Sequence, residues 1–70
     1  MPIVFAPTDK TLRIVKVLAD EKTKKHLASL GVVQNGEIEV VSSSNGNVIV
    51  VVKGVRLAIN RDVATKILVA

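Results

Sequence analysis

The side chains of this chain that are able to do chemistry are few and scattered. His26 is the only histidine, and no cysteine or cluster of carboxylates accompanies it to complete a transition-metal site. Glu37 and Glu39 are two residues apart, so a strand would place both carboxylates on one face. Such a pair could form a weak site for a hard metal ion or a glycosidase-like pair. Alternation of glutamate with apolar residues is far more typical of a solvent-facing strand, which is our interpretation.

No arrangement of residues predicts a nucleophile or a phosphate-binding loop. The serines at positions 42–44 have no histidine close in sequence and no G-x-S-x-G motif around them. Gly31 and Gly36 are isolated glycines rather than parts of a glycine-rich cradle. We therefore predict no catalytic residues and no metal ligands, and an interaction module rather than an enzyme.

Composition indicates one small domain. The 70 residues are 49% hydrophobic and include no cysteine, and a chain of this size buries only about 60% of its unfolded surface. A secreted domain this small usually needs disulfides, so we expect the reducing cytoplasm. No apolar run approaches the roughly 18 residues that span a bilayer.

The charge balance favours an acidic partner over nucleic acid. The formal net charge is +4, and the densest basic segment is residues 22–25. This bias is typical of a solvated surface, and it also attracts acidic surfaces. Single-strand binders stack bases on aromatic side chains, whereas this chain has no Trp, no Tyr and one Phe. We therefore expect no nucleic acid partner.

The first half of the chain predicts a strand and a helix. Residues 1–10 contain two prolines and are expected to form an irregular arm, and residues 11–18 are expected to form a strand. Asp20 is a good N-cap for a helix of about ten residues, which ends at a left-handed Gly31. An Asn-Gly turn at positions 35–36 leads into the next strand.

The next two strands are expected to pair through a loop of three residues. Residues 37–41 alternate, which directs Ile38 and Val40 to the core. Positions 42–46 read as a loop by composition, and a strand follows. A two-residue turn there would bury a glutamate, so we predict a loop at residues 44–46 that pairs Val40 with Val50.

A second hairpin is expected around Gly54. With Gly54 and Val55 as the central residues of a type II′ turn, Val50 pairs with Ile59. In this register the valines at even positions and their partners share one face, and the pattern is self-consistent.

The remaining residues complete a small mainly β fold. Asn60 is expected to cap a helical turn over residues 61–65, and residues 67–69 form a brief closing strand. The order is therefore strand, helix, three-strand meander, helical turn and strand. Such a sheet is best closed into a five-stranded SH3-like barrel, with an OB-like barrel as the alternative.

Five segments and one turn carry a resemblance to a known family: residues 12–17 (LRIVKV), 25–32 (KHLASLGV), the Asn35-Gly36 turn, and residues 46–54 (GNVIVVVKG), 56–59 (RLAI) and 63–69 (VATKILV). In their order and spacing they resemble the FeoA family of small proteins, over about residues 11–69. Two positions depart from the family pattern: His26 stands where a second basic residue, commonly Arg, is usual, and Asn35 stands where Pro is usual.

The resemblance implies one SH3-like FeoA-type domain over residues 11–70, with no enzymatic activity and no cofactor of its own. It implies a cytoplasmic accessory protein of ferrous iron transport. The implied partner is the cytoplasmic GTPase region of a FeoB-like permease, so the membrane is reached only through that partner. Two alternatives stay open: a generic SH3-like peptide adaptor, and an excised C-terminal domain of a metal-dependent repressor.

We expect the contact surface on the exposed side of the helix and at its exit, with Leu27 and Leu30 in the core. Self-association is left open, because the edges of the second hairpin could pair between copies. The expected contact residues are Lys24, Lys25, His26, Ser29 and Val32.

Overall fold

The protein is described by a computed structural model that covers residues 1–44 and 46–70. Five strands and two helices follow a short 3₁₀ turn at the N-terminus, Ile3–Phe5. In chain order the elements are β1 (Thr11–Val17), α1 (Glu21–Ser29), β2 (Glu37–Ser44), β3 (Asn47–Val52), β4 (Val55–Asn60), α2 (Arg61–Ala64) and β5 (Ile67–Val69).

All five strands form one antiparallel sheet in the order β4-β3-β2-β1-β5. The predicted fold class is confirmed: the protein is mainly β, with a helix between the first two strands and a helical turn before the last. Fourteen apolar side chains form the core beneath the sheet and helices, and the described residues bury no charged or polar side chain. The core comprises Ile3, Ile14, Val17, Leu27, Val32, Ile38, Val40, Val48, Val50, Val52, Ile59, Ala64, Ile67 and Val69.

The β2–β3 hairpin has the predicted central register but reaches it in another way. Val40 pairs with Val50 as expected, yet Ser42–Ser44, expected in a loop, continue β2, and Ser44 pairs with Asn47. The predicted three-residue loop is therefore wrong at Ser44, while Asn45 lies outside the described residues. The extra residue sits instead in a bulge between Val40 and Ser42, which keeps the valines on the buried face.

The β3–β4 turn lies one residue earlier than predicted. Its central residues are Lys53 and Gly54, both with positive φ (52° and 77°), because a type I′ turn matches the twist of the strands. Val50 therefore pairs with Leu57 rather than with Ile59. Moving the turn by one residue shifts the pairing of β4 with β3 by two residues. Because side chains alternate between faces, the same side chains stay on the buried face, and the predicted faces are still correct.

The N-terminal arm is held against the last strand. The Met1 amino group donates a hydrogen bond to the carbonyl of Val69 (3.0 Å), and the Val69 N–H donates to the Met1 carbonyl (2.7 Å). Ile3 is 1% exposed and belongs to the core. The arm, expected to be irregular, thus contains a 3₁₀ turn and covers the outer edge of β5.

Candidate functional site

The two ends of helix α1 differ. Asp20 stands at the predicted N-cap position with an extended backbone (φ −64°, ψ 165°), but its side chain makes no capping hydrogen bond. The neighbouring Thr23 side chain lowers the pKa of the exposed Asp20 carboxyl. At the other end the Gly31 N–H donates to the Ala28 carbonyl (3.0 Å) and the Val32 N–H to the Leu27 carbonyl (2.9 Å). These two bonds form a Schellman motif around a left-handed residue.

Gly31 also sets how closely the helix end approaches the sheet. Its φ is +98°, and a Cβ atom at this position would lie 3.0 Å from Cγ1 of Val52. Leu27 is 5% exposed and packs into the core from the middle of the helix. The end of α1 is therefore held on β3 by a close backbone approach that only glycine allows.

Four of the five predicted contact residues are exposed on α1: Lys24, Lys25, His26 and Ser29. Successive residues of a helix are about 100° apart, so Lys25 and Ser29 lie opposite the buried Leu27, and His26 lies between that side and β4. The Ser29 hydroxyl donates to the carbonyl of His26 (2.6 Å). We call these four exposed residues the α1 surface.

Val32 does not lie on this surface. It is 1% exposed and belongs to the core, whereas Leu30, expected in the core, is 38% exposed. The two residues flank Gly31, whose left-handed backbone turns the chain between them. Helical spacing grouped Leu30 with Leu27, but Leu30 is the C-cap residue, where helical periodicity ends.

Lys24 borders a separate groove of about 180 Å³ between α1 and β1. Lys16 lies on its other side, and its apolar lining includes Val17, Ala28 and Val32. No functional role was predicted for Lys16 from its place in strand β1. Across this groove the exposed Lys16 therefore lies beside the α1 surface, in addition to the lysines of the helix.

Glu37 and Glu39 share the outer face of β2, as predicted. Arg13 of β1 stands opposite Glu37, and Thr11 stands opposite Glu39. The Arg13 guanidinium also donates to the side-chain oxygen of Asn35 (3.1 Å). Within residues 1–44 and 46–70, no group of three His, Cys, Asp or Glu side chains is arranged to hold a metal ion. The surroundings of the pair are those of a solvent-facing strand.

Among the helices described for this chain, none has the length and apolar character needed to cross a membrane. The longer of the two, α1, has nine residues.

Comparison with known proteins identifies the family. The model of the FeoA domain matches residues 1–70. A Methanocaldococcus jannaschii protein named "Putative Fe(2+) transport protein A" is 32% identical over 68 residues, which are 97% of this chain and 83% of that protein. The sequence relationship therefore extends along nearly the whole chain.

Two solved structures share the SH3-like fold. A crystal structure of an iron uptake regulatory protein (FeoA) superposes with a TM-score of 0.88 at 26% identity, covering 99% of this chain and 93% of that chain. The crystal structure of T. acidophilum IdeR superposes with a TM-score of 0.84 at 28% identity, covering 99% of this chain and 32% of that chain. With its family model matched from the first residue to the last, the chain belongs to the FeoA domain family.

Proposed function

We propose that this protein is a non-enzymatic accessory protein of ferrous iron transport, and that it binds the cytoplasmic GTPase region of a FeoB-like permease. The observation that carries the proposal is the match of the FeoA domain model to residues 1–70. The M. jannaschii relative bears the name of an Fe(2+) transport protein, which supports the same role. The protein acts in the cytoplasm by binding, and ferrous iron is the cargo of its partner.

The α1 surface is the proposed contact region. Lys24, Lys25 and His26 are consecutive exposed residues of the helix, and His26 lies in its last turn. A cluster of exposed cations accelerates encounter with an acidic surface and helps to fix its orientation. The complementary patch on the permease is therefore expected to be acidic.

The rigid attachment of α1 supports this assignment. The helix is fixed by the Schellman motif at its end, by the close approach of Gly31 to Val52 and by the buried Leu27. A surface that is ordered before binding loses less conformational entropy when the complex forms. The α1 surface is thus well suited to rigid docking.

A double charge reversal tests the contact region. Replacing Lys24→Glu together with Lys25→Glu should weaken binding to the purified GTPase region by about tenfold or more at low salt. The matched control is Lys10→Glu with Lys53→Glu, which makes the same change in net charge at two exposed lysines outside α1. The control should bind within about twofold of the natural protein. Equal binding by the α1 variant and the natural protein would overturn the assignment of the surface.

The second candidate is a C-terminal domain of a metal-dependent repressor. The superposition on T. acidophilum IdeR covers 32% of that chain, as expected if this fold forms one domain of a longer protein. The FeoA model and the FeoA crystal structure, 93% covered, favour the transport role. An antibody against this domain discriminates the two in a lysate of the source cells, because a repressor would migrate as a much longer polypeptide.

A further inference from the structure

One edge of the sheet has no covering element in the described part of the chain. All six residues of β4 pair with β3 and with no other strand. The opposite end of the sheet differs, because Met1 exchanges two backbone hydrogen bonds with Val69 on β5 and Pro2 forms a bridge with Leu68. An uncovered strand edge is a template for pairing with another extended segment.

The register of the hairpin identifies which backbone groups of β4 are free. Val52 and Val55 close the two-residue turn, so they exchange both of their hydrogen bonds, and the pairs along the ladder then alternate. Ala58 is opposite Ile49 in a pair that does not exchange hydrogen bonds. The N–H and C=O of Ala58, and those of Arg56, therefore point away from β3, whereas Asn60 is engaged as the N-cap of α2.

An apolar groove of about 190 Å³ runs along this edge. Leu57, Ala58 and Ile59 all line it, although successive residues of a strand point to opposite faces. Consecutive residues line a single groove only where the groove follows the edge of the strand. The free backbone groups of β4 thus border the groove.

Helix α1 forms the other wall of the groove. His26, Leu27 and Leu30 line that side, and Val63 of α2 lies at the end. An added strand lies about 4.8 Å from its neighbour, and its inward side chains would contact Leu30 and Leu57, which are both incompletely buried. The free backbone groups of one strand edge pair with one extended segment, which is the occupant that this arrangement favours.

The charges around the groove specify the flanks of that segment. Arg56 lies on β4 itself, Arg61 follows its last residue, and Lys22 lies on α1; all three are exposed. Two exposed carboxylates adjoin these positions in sequence, Glu21 beside Lys22 and Asp62 beside Arg61, whereas Arg56 has none. Among these five residues, cations therefore outnumber carboxylates three to two.

From these observations we infer that the groove between β4 and α1 binds an extended segment of a partner polypeptide by strand addition to β4. The segment has alternating apolar residues, whose side chains enter the groove, and carboxylates on its flanks. Backbone hydrogen bonds to β4 supply affinity and the pocket for alternate side chains supplies specificity. The groove shares His26 with the α1 surface, but the inference rests on the free edge of β4 and does not depend on the permease proposal.

Selection from a phage-displayed library of random peptides, with the whole protein as bait, provides a probe for the site. The enriched sequences should alternate apolar residues and carry flanking Asp or Glu. A peptide added to β4 donates hydrogen bonds to it through every second amide. In a synthetic copy of the best binder, N-methylation of one set of alternate amides should therefore weaken binding by at least about tenfold, and N-methylation of the other set should leave it nearly unchanged. No enriched peptide, or equal effects of the two sets, would overturn the inference.

A pair of variants at Ala58 tests the location. Ala58→Pro removes the outward N–H, a change that edge strands tolerate, and should abolish binding of the selected peptide. Ala58→Thr is the matched control because it keeps the N–H, and it should retain binding. Amide NMR spectra verify that both variants are folded.

If Ala58→Pro lacks a folded spectrum, peptide-induced shifts in the natural protein decide between the outcomes. Shifts along β4 and the facing side of α1 support the site, and shifts elsewhere overturn it. Binding by a folded Ala58→Pro protein at the natural level also contradicts strand addition.

Discussion

Leu27 in α1 and Leu30 at its C-cap are three residues apart in sequence but have different surroundings. Leu27 is 5% exposed and Leu30 is 38% exposed. Leu27→Ala should lower the free energy of unfolding by about 2–5 kcal/mol, because it removes buried methyl groups and leaves a cavity. Urea unfolding followed by circular dichroism measures the change. Leu30→Ala is the matched control and should cost less than half as much; equal costs would contradict the described position of the helix.

Gly31 combines a positive φ with a close contact, and this combination predicts an unusually sensitive position. Gly31→Ala should cost about 1–2 kcal/mol for the left-handed backbone and more for the 3.0 Å approach of the new Cβ to Val52. Gly54→Ala is the control, since Gly54 has φ +77° but a Cβ added there would have no atom within 4 Å. In thermal unfolding the melting temperature should fall further for Gly31→Ala. A larger fall for Gly54→Ala would contradict the close approach of α1 to β3.

At the scale of elements, the start of α2 depends on one side chain. The Asn60 side-chain oxygen accepts a hydrogen bond from the Asp62 N–H (2.7 Å), as expected for the predicted N-cap. Asn60→Ala should cost about 0.5–2 kcal/mol of stability, as measured by chemical denaturation. Asn60→Asp retains the acceptor and should remain within a few tenths of a kcal/mol of the natural protein. Equal losses in both variants would show that the cap contributes nothing.

The elements themselves could be predicted from the sequence, whereas their turns could not be predicted in full. The strand and helix patterns and the two N-cap positions were sufficient to predict the order of the elements. The β3–β4 turn was misplaced because Lys53 adopts a left-handed conformation (φ 52°), which is uncommon for lysine. The bulge after Val40 was missed because bulges leave almost no local signal in an alternating strand.

The candidate site was predictable only in part, because helical spacing does not apply beyond the end of the helix. Helical spacing placed Lys24, Lys25, His26 and Ser29 on the exposed face of α1, and all four are exposed. It could not place Val32, which follows Gly31 and returns to the core. The groove beside β4 was also unpredictable, because it requires the pairing of β4 and the position of α1 at the same time.

At the scale of the whole molecule, the N-terminal arm belongs to the folded domain. Ile3 is 1% exposed and shares the core with Ile67 and Val69 of β5. Ile3→Ala should therefore lower the free energy of unfolding by about 2–5 kcal/mol, measured by urea titration. Phe5→Ala, in the same arm but at a side chain that is 71% exposed, should change it by about 0.5 kcal/mol or less. A negligible loss for Ile3→Ala would show that the arm is not part of the core.

The central claim is that the protein binds a FeoB-like permease through the α1 surface. An amide-resolved NMR titration with the cytoplasmic GTPase region of that permease, with and without bound nucleotide, tests it most directly. We expect saturable shifts centred on Lys24, Lys25, His26 and Ser29, which weaken in the Lys24→Glu/Lys25→Glu variant. Saturable shifts confined to other elements would contradict the surface, and no shifts in either nucleotide state would contradict the partner.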